Sequence, residues 1–436
     1  MQSLFSLQNE HVYFKKPIHA FHLRSMATHQ MPPVMRLLTA LTLLTAFGSA
    51  TAFAEEAAPL TLKADAALTF DSNLFRLPSG KDPALVLGKS SASERIAVTS
   101  LGLNFSSTLS LQKLDLAVSL VDSQYQTFDY LNNLSYNYNA ALHWGLTPSM
   151  YGNFTSSRKE TANSFSDYLG LQQSNLRTET NTRLDAIYEI DGQWRISGGV
   201  SHFNQANQQA LVAGGDYSTN SADLGLGYVA GTGTSLTFSQ KTVQGDYLNR
   251  ALSAAGFYDN AFNQAVSDLR LHWVLINNTS ADFYLSYIAQ NHPNYQERNF
   301  SGVNSGASLN WLLTGKSALT LAQSREFSSY ATANSNYSQT DRFTIGPTLQ
   351  ISPKSLLRLR HEWARTNFLG APPTGVAPSQ RSDITRDTAL SYYWQAEQRL
   401  SISAALQNAS RASNQTGLTP LDYESNQLTI SAQYSY

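Results

Sequence analysis

Hydrophobic and polar residues alternate with a period of two along most of the chain beyond residue 59. Leu60, Leu62, Ala64, Ala66, Leu68 and Phe70 fall on one side, and Thr61, Lys63, Asp65, Thr69 and Asp71 on the other. A strand sends alternate residues to opposite faces, whereas a helix would scatter both sets. The same period runs through 114–120, 136–144, 178–188, 281–289 and 400–406. Short turns are expected near Gln112-Lys113, 145–148, Asp191-Gly192, 231–233, Asn277-Asn278, Gly315-Lys316, Pro353-Lys354 and Glu397-Gln398. Long polar stretches lie near 72–94, 160–175, 204–216, 246–260, 291–301, 328–337, 367–383 and 410–424, with a shorter one at 129–133. Short and long connections take turns, as in outer-membrane barrels with tight periplasmic turns and longer outer loops. Eight short and nine long connections predict an all-β chain: a transmembrane antiparallel up-and-down β-barrel of about 18 strands (16–18). Both chain termini of the barrel then fall on the periplasmic side. A barrel of that size encloses an aqueous channel. No repeat of fixed length is visible, which argues against a solenoid or propeller.

Composition sharpens this picture. Charged residues make up 14% of the 436 residues, hydrophobic residues 42%, and the formal net charge is −1. Soluble globular chains carry about 25% charge. A neutral chain has no electrostatic footprint for nucleic acid. Without cysteine there are no thiolate metal sites, thiol nucleophiles or disulfides. No stretch reaches the roughly 18 apolar residues that a spanning helix needs.

Met35-Arg36, the apolar run over 37–47 and Ala52-Phe53-Ala54 before Glu55-Glu56 read as a signal peptide over 35–54, cut after Ala54. Residues 1–34 then read as a disordered, over-extended start, and 55–436 as the barrel. The destination is the outer membrane of a Gram-negative bacterium, with its lipid as the first partner. Leu428, Ile430, Ala432, Tyr434 and Tyr436 share one face of the last strand. A final aromatic such as Tyr436 resembles the signal read by the barrel-assembly machinery.

On the inner face, charges come in mixed rows: Arg177, Glu179, Arg183 and Asp185; Asp268 and Arg270; Arg358, Arg360 and Glu362. Charge inside a barrel is solvated and sets the field of the pore. Phe203, Tyr284 and Tyr393 share that face and offer ring surfaces for sugar stacking. Trp144, Trp194, Trp273, Trp311, Trp363 and Trp394 are all expected beside short turns, as a periplasmic girdle. No HExxH, P-loop or GxSxG motif occurs. His143, His202, His272, His292 and His361 are scattered, so no metal site, cofactor or catalytic residue is expected.

At Asp71-Ser72-Asn73-Leu74-Phe75-Arg76-Leu77 the chain resembles the EpsL family, outer-membrane β-barrels of exopolysaccharide operons with a porin-like outline. Further segments resemble the family in order: Trp144 to Gly152, Phe300-Ser301-Gly302, Trp311 with Thr314-Gly315-Lys316, and Arg411-Ala412-Ser413-Asn414 with Asp422-Tyr423. The resemblance implies a role in exopolysaccharide export or biosynthesis, with the polymer and periplasmic export components as partners. It implies no catalytic residue. The alternatives with the same fold are a general diffusion porin for small solutes and a non-conducting docking or structural barrel of the export machinery.

Overall fold

The computed structural model describes residues 60–436 except 164–173, 210–212, 276–278, 333, 371–376 and 416–420. The signal peptide, residues 1–34 and the Asn277-Asn278 turn lie outside the described residues. The wall begins with β1 (Leu60–Asp71), β2 (Glu94–Leu109), β3 (Gln112–Tyr125), β4 (Asn133–Thr147), β5 (Met150–Ala162) and β6 (Leu176–Glu189). It continues through β7 (Trp194–Asn207), β8 (Tyr217–Val229), β9 (Ser235–Tyr247), β10 (Ala261–Val274), β11 (Ser280–Asn291) and β12 (Phe300–Thr314). It is completed by β13 (Ser317–Ser329), β14 (Tyr337–Ser352), β15 (Ser355–Leu369), β16 (Ser382–Gln395), β17 (Leu400–Ser413) and β18 (Tyr423–Ser435). A short helix, α1 (Pro83–Leu87), lies in the loop after β1.

Each strand is antiparallel to the next. β1 pairs with both β2 and β18, so Ala67 stands opposite Val98 on one side and Ser431 on the other. This is the closed 18-strand barrel that the connection pattern predicts. Among the described residues, closure leaves no strand edge unpaired. The β2–β3 turn lies two residues earlier than expected, at Ser110-Leu111, where Ser110 takes a φ of 55°. A two-residue hairpin needs such angles to match the strand twist.

Two faces follow from the pleat. Leu116, Val118 and Leu120 are exposed on the outside of β3, while Asp115, Ala117 and Ser119 turn inward. Leu184, Val200, Leu224, Phe238, Leu269, Leu285 and Leu406 continue the outer apolar belt on other strands. An exposed belt of this kind is stable only against lipid, because water would solvate it at a cost. Trp144, Trp194, Trp273, Trp311 and Trp394 lie within three residues of strand ends at the short connections. Trp363 corrects the expectation that all six gather there. It is eight residues past the start of β15, opposite Phe343 and Arg386.

Candidate functional site

The inner wall carries the chemistry. On β6, Arg177, Glu179, Arg183 and Asp185 have the parity opposite to the lipid-facing Leu184 and Tyr188. Arg177 pairs with Glu179 at 2.9 Å. Arg183 reaches past β7 to grip Asp223 on β8, at 2.6 and 3.0 Å, and keeps Asp185 at 3.4 Å. It crosses directly over Gly199, where a Cβ would come within 2.4 Å of the guanidinium. Asp185 accepts from Asn153 Nδ2 at 2.9 Å, and Asn153 Oδ1 accepts from His143 Nδ1 at 2.6 Å. The His143 ring also meets Asp115 at 3.1 Å, and Lys113 meets Asp115 at 2.9 Å. The result is one polar girdle from β3 to β8.

A second girdle spans β13 to β17. Arg342 lies 3.6 Å from Glu326 and 3.0 Å from Glu362. Arg360 bonds Glu362 at 3.1 Å and closes a short pair with Asp387, which also accepts from Gln407. Arg358 stands exposed on the same strand without an ion pair among the described residues. Between the girdles, Asp268 holds Arg270 at 2.6 Å, with the Arg270 side chain 65% exposed, and His272 pairs with Asp282 at 2.6 Å. The same-strand pairs Arg177–Glu179, Arg183–Asp185, Asp268–Arg270 and Arg360–Glu362 join residues already named as candidates from the sequence, whereas the cross-strand partners Asp223, Glu326, Arg342 and Asp387 are not among those candidates. Parity alone would have found them, but not their partners.

Of the three aromatic candidates, Tyr284 lies flat on Gly306, where a Cβ would meet the ring at 2.2 Å, with Arg270 5.7 Å from its centroid. Tyr393 is 41% exposed and its hydroxyl donates to Gln395 Oε1 at 2.5 Å. Phe203 belongs to a stripe of four rings. It meets Tyr217 at 5.6 Å, Tyr217 meets Phe262 at 6.2 Å, and Phe262 meets Tyr247 at 5.3 Å. The stripe crosses β7, β8, β9 and β10 just below their outer ends. Only Phe203 was visible as a candidate, because ring contacts across strands depend on register.

Above the girdles, buried ionic groups tie the long loops sideways. Asp71 takes Arg76 at 2.9 Å, Ser425 at 2.7 Å, Gln427 at 2.7 Å and the Asn73 amide at 2.9 Å, so it locks the seam between the first and last strands. Glu94 accepts the amides of Thr127 at 2.9 Å and Phe128 at 2.8 Å, beside a small core of Phe75, Leu77, Leu87, Phe128 and Leu131. Arg298 is 2% exposed. It donates to the carbonyls of Gly256 at 2.5 Å, Phe257 at 3.2 Å, Thr332 at 2.7 Å and Ser335 at 2.9 Å, and to Asn336 Oδ1 at 3.0 Å. The segments that resemble EpsL fall partly here. Asn73 Oδ1 accepts from the Leu77 amide at 2.8 Å, Arg411 Nε donates to the Leu421 carbonyl at 2.6 Å, and Asp422 accepts from the Ser413 amide at 2.5 Å.

His292 lies in this rim. Burial pulls its pKa below the usual 6.5; Arg250 and Arg298 push the same way, and Asp259 opposes them. A histidine pKa that is lower folded than unfolded means the unfolded chain binds the extra proton first. Stability is therefore full above about pH 6.5 and declines below it. Amide exchange in 292–299 should accelerate between pH 7.5 and pH 5.5, and His292→Gln should abolish that acceleration. A pH-independent exchange rate, after correction for intrinsic chemistry, would contradict it.

No protein-family model matches the chain, and no curated protein matches its sequence. Solved structures do match. The outer membrane protein OpdK of Pseudomonas aeruginosa superposes with a TM-score of 0.50 at 10% identity, over 86% of this chain and 99% of that one. OccK2 (OpdF) of the same organism gives 0.51 at 12% identity, over 86% and 98%. OccK9 (OpdG) gives 0.51 at 11% identity, over 86% and 98%. At these identities the likeness is one of fold. Closed wall, apolar outer belt and wet inner face define the class: an outer-membrane β-barrel of porin architecture, resident in the Gram-negative outer membrane.

Proposed function

We propose that this barrel is a passive channel for small polar solutes. The observation that carries the reading is the inner wall, whose charges compensate one another in rows and face the lumen. Eighteen strands tilted near 40° enclose a cylinder roughly 36 Å across between backbones. Among the described residues, each strand packs mainly on its two sheet neighbours, and the helices are short pieces of the long loops. OccK2 has been solved in complex with glucuronate, so a sugar acid is the first solute to test.

Reconstituted in a planar bilayer, the protein should give stable conductance with weak ion selectivity, because acids and bases alternate along the wall. Arg358→Glu with Arg360→Glu exchanges two positive charges for two negative ones. It should shift the reversal potential in a KCl gradient toward cations. An unchanged reversal potential would remove both residues from the conduction path. Absence of any conductance would overturn the channel reading and favour a docking barrel.

The ordered resemblance to EpsL supports a narrower second reading, in which the solute is an exopolysaccharide on its way out. Gene deletion with complementation separates the two. Polymer lost from the medium and regained with the gene supports export, whereas unchanged secretion leaves the small-solute channel.

A further inference from the structure

On β13 to β16 the alternation also places charge on the outer face, against lipid rather than water. Arg325 and Arg365 stand directly opposite Asp341 from either side. The next row toward the periplasm is Phe343, Trp363 and Arg386, again opposite one another. All six share parity with the lipid-facing Leu349, Leu359 and Leu390. Two guanidiniums therefore flank one carboxylate, and a third, Arg386, stands two strands away in the row below. Asp341 is already taken, by Arg325 Nε at 2.6 Å and Gln339 Nε2 at 3.1 Å. Exposed Arg365 donates from Nε to Ser382 Oγ at 3.2 Å, and exposed Arg386 makes no ion pair among the described residues. Elsewhere on the outer face Arg158 is engaged by Glu160 at 3.0 Å and lies 3.6 Å over the Tyr136 ring.

Charge on the lipid face of a barrel is tolerated only toward the interfaces. Arg386 is eight residues above Trp394 on β16. That is about 27 Å of strand, or about 21 Å along the membrane normal at a 40° tilt. The outer apolar band is about 25 Å tall, which puts Arg365 at its upper edge and Arg386 about 4 Å below, from where its long side chain snorkels to the outer headgroups. Trp363 and Phe343 suit the same depth, with their rings toward the acyl chains. Guanidinium forks match phosphate oxygens in pairs.

We propose that this face binds the phosphate of an outer-leaflet lipid, held by Arg365 and Arg386 beside Trp363, while Arg325 neutralises Asp341. A lipid fits better than free phosphate because the aromatic row supplies an apolar floor that only an acylated ligand would use.

The test is native mass spectrometry of the detergent-purified barrel titrated with bisphosphorylated lipid A. Arg365→Gln with Arg386→Gln should lower lipid occupancy about tenfold or more, as expected for lost charge-assisted bonds. Asp341→Asn should raise it, since the competing carboxylate is gone; this variant keeps the proposal testable should the arginine variant fold poorly. Dephosphorylated lipid A should bind both proteins alike. Equal retention of bisphosphorylated lipid by wild type and the double-arginine variant would overturn the proposal. So would full displacement by millimolar inorganic phosphate, which would make the site a free-anion site.

Discussion

Replacing Arg298 by methionine should loosen three extracellular loops at once. The guanidinium is buried at the junction of 248–260, 292–299 and 330–336, and its five donor contacts go to main-chain carbonyls and one amide oxygen from two of those loops. It also lies 4.8 Å from the Tyr258 ring centroid. Methionine fills similar volume but donates nothing, so several buried acceptors lose their partner. Each such loss costs about 1–3 kcal/mol, and relaxation toward water recovers part of it. The expected net loss is about 3–5 kcal/mol of local stability, the part of those summed losses that relaxation does not recover. Hydrogen exchange should show protection lost in those three loops, with little change in the wall strands below. Lysine should restore only part, because it lacks the fork that reaches both loops together. Unchanged protection in all three loops would contradict the keystone role.

Leu224→Arg should destabilise the barrel in its membrane by about 2–4 kcal/mol. Leu224 is 65% exposed on the outer face of β8, four residues above Tyr228, whose ring lies 5.1 Å from that of Trp194. That is about 10 Å above the periplasmic girdle and close to the middle of the apolar band. An arginine there would meet acyl chains. Thr237→Arg, on the inner face of β9, should cost far less, since its charge enters the wet lumen. Urea titration of protein refolded into liposomes measures both. Equal costs for the two variants would mean that the faces are assigned wrongly.

The sequence alone determined the element type, the alternation of long and short connections and the sidedness of the wall. These follow from the two-residue repeat of an extended backbone, which is a local property. The row Arg177, Glu179, Arg183 and Asp185 could be grouped before any strand partner was known, because parity needs only neighbours in sequence. Tertiary structure decided what each group meets. Arg183 finds Asp223 two strands away only because Gly199 leaves room between them. Phe203 becomes part of a four-ring stripe through the register of β7 to β10. Trp363 leaves the girdle because its strand starts eight residues earlier, at Ser355. Asp71 meets Ser425 and Gln427 only when the first strand closes on the last. Arg325 and Arg365 flank Asp341 for the same reason: register and closure are long-range choices, and a period of two carries no information about them.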